Sequence, residues 1–237
     1  MADLRVLLHL VATLNSIFGL YGFSNIEFPS DLIPFGVKFG GIWKYLTIWN
    51  SAMQVIYFTL SLINDLIGSN ELAPRRVPMT RKIKDYLFAA FVFPGAMLVA
   101  ITFWGILAID RELIHPKVLE PIFPYWLNHA LHTNIVLFML LELYTSFRQY
   151  PSRKSGLAGL LTFGIGYLTW LHVIHNHSGV WVYSVIEVLA MPLRFVFFAF
   201  IIGLSIGLYL FGELFNNSVW VREMWTLRSA TRKSKLT

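Results

Sequence analysis

Trp126-Leu127-Asn128-His129-Ala130-Leu131-His132-Thr133 opens an otherwise apolar run that ends near Phe147. In an α-helix Asn128, His132, Ile135, Met139 and Glu142 fall at i, i+4, i+7, i+11 and i+14. One stripe then carries an amide, an imidazole and a carboxylate. A charge near the bilayer centre costs about 3 kcal/mol or more, so such a stripe faces other helices or a water-filled cavity. His132 titrates near neutrality and suits general-base work, although a structural hydrogen bond accounts for it equally well. His129, one helical position off the stripe, reads as a packing or supporting residue.

A second polar stripe comes from Thr47, Asn50, Ser51 and Gln54, at i, i+3, i+4 and i+7, and it too must find partners inside a bundle. A threonine hydroxyl is a nucleophile only with a base in reach. The plainer reading is a bond from Thr47 back to the carbonyl four residues earlier, Trp43, as membrane-helix threonines commonly make.

These residues need elements to hold them. Of 237 residues 56% are hydrophobic and 14% charged, and the mean hydropathy is +0.61. Apolar runs near 20 residues match a hydrocarbon core about 30 Å thick, which predicts one all-α polytopic integral membrane domain over residues 1–237. Six spans are expected, at about 4–21, 43–67, 86–109, 126–147, 156–175 and 193–215, followed by a basic tail over 216–237. The first reads as a retained helix rather than a signal peptide, for want of a small-residue cleavage site. Trp43 and Lys44 read as interfacial anchors, Pro94-Gly95 as a kink, and Gly203 with Gly207 as a close-approach pair. Residues 176–192 read as an interfacial or re-entrant stretch, and Asn176-His177-Ser178 matches a glycosylation sequon close to the bilayer. Asp65, Glu142 and Glu213, near helix ends, are expected to pair between helices or reach water.

The absence of cysteine removes disulfides, cysteine nucleophiles and cysteine-ligated zinc. The net charge of +6 does not point to nucleic acid, because the basic residues sit in loops that flank apolar runs. With six spans, fourteen of the 19 basic residues fall on the side of the termini and five (Lys38, Lys44, Arg111, Lys117 and Arg194) on the other. The positive-inside rule therefore puts both termini in the cytosol. Thr47 then lies about 5 Å inside Lys44, and His132 about 9 Å inside Trp126, measured from the same face. A hydroxyl and an imidazole share one depth. His115, His129, His132, His172, His175 and His177 fall on that side as well, a grouping that would suit a membrane metalloenzyme. Paired HxxxH and HxxHH boxes are missing and no carboxylate stands at ligand spacing, so no metal and no other cofactor is assigned. A transporter would call for an internal repeat, and none is visible.

Six blocks run in order over nearly the whole chain. They are Trp43-Lys44-Tyr45-Leu46-Thr47; Phe103-Trp104 with Asp110-Arg111-Glu112; Trp126-Leu127-Asn128-His129 with His132-Thr133; Gln149-Tyr150-Pro151-Ser152-Arg153 with Gly156-Leu157; Gly179-Val180-Trp181-Val182-Tyr183; and Gly212-Glu213 with Asn216. Together they resemble the androgen-induced protein family, and within it the branch that regulates tissue factor pathway inhibitor. Ser184 departs from the pattern, which has proline there, and affects only that loop. The resemblance implies a multipass membrane hydrolase of the endoplasmic reticulum or plasma membrane that cleaves fatty acid esters of hydroxy fatty acids, lipids with two acyl chains. It carries a threonine nucleophile over to Thr47 and a histidine to His132. Asn50 and Asn128 are the oxyanion-donor candidates, with His129 a third positioning candidate. The same resemblance also implies an alternative, a non-enzymatic membrane regulator of another protein's abundance.

Overall fold

The computed structural model describes residues 2–72, 74 and 76–234, so Arg75 and Lys235 of the basic segments lie outside the described residues. Every regular element among the described residues is helical: α1 (Ala2–Ser24), α2 (Leu46–Ile67), α3 (Met79–Leu87), α4 (Phe93–Ile109), α5 (Tyr125–His132), α6 (Asn134–Thr145), α7 (Arg153–Ser178), α8 (Ser184–Val188), α9 (Met191–Val219) and α10 (Val221–Ser234). Five stretches are long and apolar enough to cross a membrane: Asp3–Ser24, Leu46–Ile67, Met79–Ile109, Arg153–Ser178 and Met191–Val219. This is an integral membrane protein of the polytopic all-α class.

The expected span over 126–147 is not one helix. It breaks at Thr133 into α5 and α6, of 8 and 12 residues, each too short to cross alone. The cause lies in α1. Asn15 donates through Nδ2 to the Ala130 carbonyl at 3.1 Å and accepts from Asn134 Nδ2 at 2.9 Å. In an unbroken helix that carbonyl would take the Asn134 N–H instead. The offset is small, and Asn128, His132, Ile135, Met139 and Glu142 are all buried on either side of the break.

The other boundaries shift for local reasons. Pro94 cannot donate to the residue four before it, and the chain accommodates this with a π turn over Phe88–Val92 that lets the Phe93 N–H reach the Phe88 carbonyl. Helices α3 and α4 thereby form a continuous path. Helix α2 starts only at Leu46, behind a 3-10 turn over Gly41–Lys44. The stretch 176–192 holds the end of α7 and the short α8, which begins at the divergent Ser184. The sequon asparagine, Asn176, lies within α7. Gly203 and Gly207 face outward with open space around them, so they bring no helix close. Close approach falls instead to Gly212, against Phe93 and Tyr150, and to Gly156, against Tyr209, where a methyl group would collide.

Helix α1 packs along α2 and touches α5 and α6, while α4 lies between α6 and α9. Deep in this bundle the charged residues pair. His9 contacts Asp65 Oδ2 through Nδ1 at 2.7 Å and Glu142 Oε2 through Nε2 at 2.8 Å. With a carboxylate on each side both ring nitrogens donate, which makes the ring an imidazolium. Glu142 Oε1 accepts from the Tyr57 hydroxyl at 2.5 Å and from Arg148 Nη2 at 2.8 Å. The Arg148 guanidinium also lies 3.5 Å over the Phe88 ring. At the surface, the exposed Arg153 pairs with Glu213 at 2.8 Å.

Two outcomes follow. Removing one partner of a buried ion pair leaves the others uncompensated, so Glu142→Leu should lower stability by about 3 to 5 kcal/mol. Thermal unfolding in detergent measures it, against an exposed control such as Leu141→Ala. Placing both termini on the basic side requires the α5–α6 pair to cross the membrane together. Tags at both ends should then be digested by protease added outside sealed microsomes, and protection of one tag alone would leave five crossings.

Candidate active site

The site is built around the first turn of α2. Just before it, Lys44 is buried rather than interfacial. Its ammonium donates to the carbonyls of Phe35 at 2.7 Å, Val37 at 2.8 Å and Pro34 at 3.4 Å, tying the preceding loop onto the helix start. Burial pushes that ammonium down to about 8 from its usual 10.5. Below that value it stays protonated and keeps these donors.

The Trp43 carbonyl is taken by two indoles, Trp49 Nε1 at 2.7 Å and Trp170 Nε1 at 3.0 Å, and the Thr47 hydroxyl points elsewhere. A helix leaves its first four N–H groups without intrahelical partners. Here the Leu46 N–H donates to the Tyr183 hydroxyl at 2.9 Å, and those of Ile48 and Trp49 reach the Tyr45 carbonyl at 3.1 and 3.4 Å. That leaves the Thr47 N–H. Tyr167 spends its one hydroxyl proton on the Lys44 carbonyl at 2.9 Å, so Tyr183 is the donor in the 2.8 Å bond between the two hydroxyls. Three elements thus hold the turn that carries Thr47.

Thr47 Oγ1 lies 3.4 Å from His132 Nε2. On the far side of the ring, Nδ1 lies 3.1 Å from the Asn128 carbonyl and donates to it. That bond puts the proton on Nδ1 and leaves the Nε2 lone pair facing the threonine hydroxyl. Phe103 of α4 stacks on the imidazole with centroids 3.7 Å apart and planes 12° apart, which fixes the ring plane. A backbone carbonyl stands where a carboxylate would complete a triad.

Two cavities meet at Thr47. The larger, about 170 Å³, lies among α2, α4, α7 and α9 and is almost wholly apolar, with Leu98, Phe163 and Ile201 in its wall. The smaller, about 70 Å³, is lined by His132, Asn128, His115, Tyr45 and Phe123. Thr47, Phe103, Ile114 and Tyr183 belong to both. Burial and the neighbouring Arg111 hold His115 below the usual histidine range, which favours a neutral ring at neutral pH.

Of the residues named from sequence, Thr47, His132 and Asn128 come together here. Asn50 does not: it is buried against Gly95 and lines neither cavity. His129 points away, bonded to Thr133 Oγ1 at 3.0 Å and stacked on Trp104. The remaining histidines scatter. His172 and His175 pack on Trp181 and His177 stacks on Phe39, and no group of three or more metal-ligating side chains assembles among the described residues. Phe103, Tyr167 and Tyr183 were missed in the sequence. Tyr183 and Phe103 stood in two of the six blocks, but an aromatic in a membrane protein rich in aromatics carries no mark of a positioning role.

The family model described as FAR-17a/AIG1-like protein matches residues 4–217, a range that includes the whole site. This chain belongs to that family. It is 37% identical over 207 residues to the androgen-induced gene 1 protein of Homo sapiens, covering 85% of each chain. It is 36% identical to the androgen-dependent TFPI-regulating protein of Mesocricetus auratus, over 76% of this chain and 78% of the relative. The two branches thus stand at nearly equal identity. A membrane protein of Schizosaccharomyces pombe is 24% identical over 86% of each chain. No solved structure matches.

Phe103 holds the His132 ring by stacking alone, so its removal leaves Thr47 and His132 in place but frees the ring. Phe103→Ala should slow fluorophosphonate labelling of Thr47 by about 10- to 100-fold, the scale of a misplacement near 1 Å. Unchanged labelling would show that the Asn128 carbonyl suffices to orient His132.

Proposed function

We propose that this protein is an intramembrane carboxylic ester hydrolase that cleaves fatty acid esters of hydroxy fatty acids, with Thr47 as nucleophile and His132 as general base. The observation that carries the reading is the Thr47 hydroxyl facing the unprotonated nitrogen of a buried, oriented imidazole. His132 Nε2 takes the hydroxyl proton as Oγ1 attacks the ester carbon. The Thr47 N–H and the Asn128 amide are the donors best placed for the oxyanion. Collapse of the tetrahedral intermediate breaks the bond to the hydroxy fatty acid, which leaves with the proton from His132. Water then attacks the acyl-threonine with His132 again as base, releasing the fatty acid and restoring the hydroxyl.

The cavities support the substrate class. An apolar chamber between helices suits an acyl chain entering from the bilayer, and a second, more polar chamber on the other side of Thr47 suits the arm that leaves. Ester chemistry needs less help than amide chemistry, which is consistent with a pair lacking an acidic third member.

The test compares three variants at equal expression. Loss of a general base costs at least about 10²-fold, so Thr47→Ala and His132→Ala should both abolish ester hydrolysis and fluorophosphonate labelling. His129→Ala, which removes a contact with Thr133 and Trp104, should cost far less. A fully active His132→Ala would sink the mechanism. A second reading comes from the printed name of the TFPI-regulating relatives, a membrane regulator of another protein's abundance. Survival of such a cellular effect in Thr47→Ala would separate regulation from hydrolysis.

A further inference from the structure

Hydrolysis inside a bilayer needs water as well as substrate, and the apolar cavity does not supply it. Below Thr47, one face of α2 carries Asn50, Gln54, Tyr57 and Ser61, at i+3, i+7, i+10 and i+14 from the nucleophile. From Thr47 to Tyr57 that face runs about 15 Å. Asn50 and Gln54 are fully enclosed, yet none of their four side-chain polar atoms, Nδ2, Oδ1, Nε2 and Oε1, has a hydrogen-bond partner among the described residues. Left dry, four such atoms would forfeit a large share of a domain's folding free energy. Buried water answers this, since it collects at enclosed polar groups that lack protein partners.

Both ends of this face lead somewhere. At the upper end Asn50 Oδ1 lies against Gly95, and Gly95 lines the large cavity together with Thr47. At the lower end Tyr57 bonds to Glu142 and Glu142 to Arg148, and among the described residues Arg148 Nε and Nη1 and Ser146 Oγ, two residues before it, have no hydrogen-bond partner. Arg148 opens the basic segment that leads into α7. We propose that Asn50 and Gln54 hold a file of water molecules that runs from this charged end of the bundle to Thr47 and supplies the water for deacylation. The supply role rests on the hydrolase reading above; the file itself does not. In that step the water oxygen bonds to the acyl carbon, its proton passes to His132 Nε2, the Thr47 Oγ1–acyl bond breaks, and the proton returns to Oγ1.

The chain has no cysteine, so a single introduced thiol reports on its own surroundings. Gln54 and Phe58 lie one turn apart on α2 and both have 0% exposure, so a dry bundle shields them equally. Native Gln54→Cys and Phe58→Cys proteins are exposed to Ag⁺, excess ion is removed, and the thiols left free are counted with N-ethylmaleimide after denaturation. The water file requires Ag⁺ to block Gln54→Cys roughly 10²-fold faster than Phe58→Cys, because thiolate forms in water and not in an apolar core. Equal protection of both thiols overturns the proposal. A second arm follows a chromogenic ester with Gln54→Leu. Acylation in the first turnover should stay within about threefold of wild type, while steady turnover falls about tenfold or more and acyl-Thr47 accumulates by mass spectrometry. Parallel loss of both phases would make Gln54 structural and remove the supply role. A wild type that never forms acyl-threonine would sink the hydrolase reading, and the thiol comparison would still decide whether the file exists.

Discussion

Charge at membrane depth is tolerable only when each ionised group has a partner, and Glu142 is where this bundle meets that constraint. Its two oxygens serve His9 on α1, Tyr57 on α2 and Arg148 in the segment after α6, while His9 passes the link on to Asp65. His9 and Arg148 offset Asp65 and Glu142, and Arg5 adds a further cation 3.8 Å from Asp65 Oδ1. The His9 and Tyr57 contacts cross between helices, so the cluster sets the register of α1 against α2 and of both against α6. Asn15 acts in the same way higher up, bonding to the break between α5 and α6.

With those helices registered, the depth of Thr47 and of His132 is no longer free. Thr47 is held from below by α2 and from above by the Lys44 and Tyr183 contacts; His132 is held by its own helix through the Asn128 carbonyl and by Phe103 from α4. The Thr47–His132 contact, assembled from two helices, depends on both supports. The break at Thr133 fits this arrangement, because it frees α5 to present His132 at the end of a short helix while α6 delivers Glu142 to the charge cluster. One stripe of residues therefore serves both the candidate site and the charge cluster.

Much of this was legible in the residues. Composition and run length alone establish an all-α membrane protein, because only helices and closed barrels satisfy backbone groups in hydrocarbon. Helical spacing singled out Asn128, His132 and Glu142 as one buried stripe, and depth counting from Lys44 and Trp126 put Thr47 near His132. Both rest on the rise and pitch of a helix, which do not depend on neighbours. The family blocks named the same two residues by resemblance.

What the sequence could not determine is which polar groups meet across helices. Lys44 read as an interfacial anchor because lysines beside apolar runs usually are, and only the folded loop offers it three carbonyls. Thr47 had a carbonyl within its own helix as a partner, until two indoles from separate elements occupied it. Asn50 and Asn128 carried equal weight as oxyanion donors from spacing, and packing set one in the chamber wall and turned the other toward Gly95. Helical periodicity decides which face of a helix is buried. Only the tertiary structure decides what that face meets, because partners lie far away in the chain and each hydroxyl or amide has several competing acceptors of similar strength.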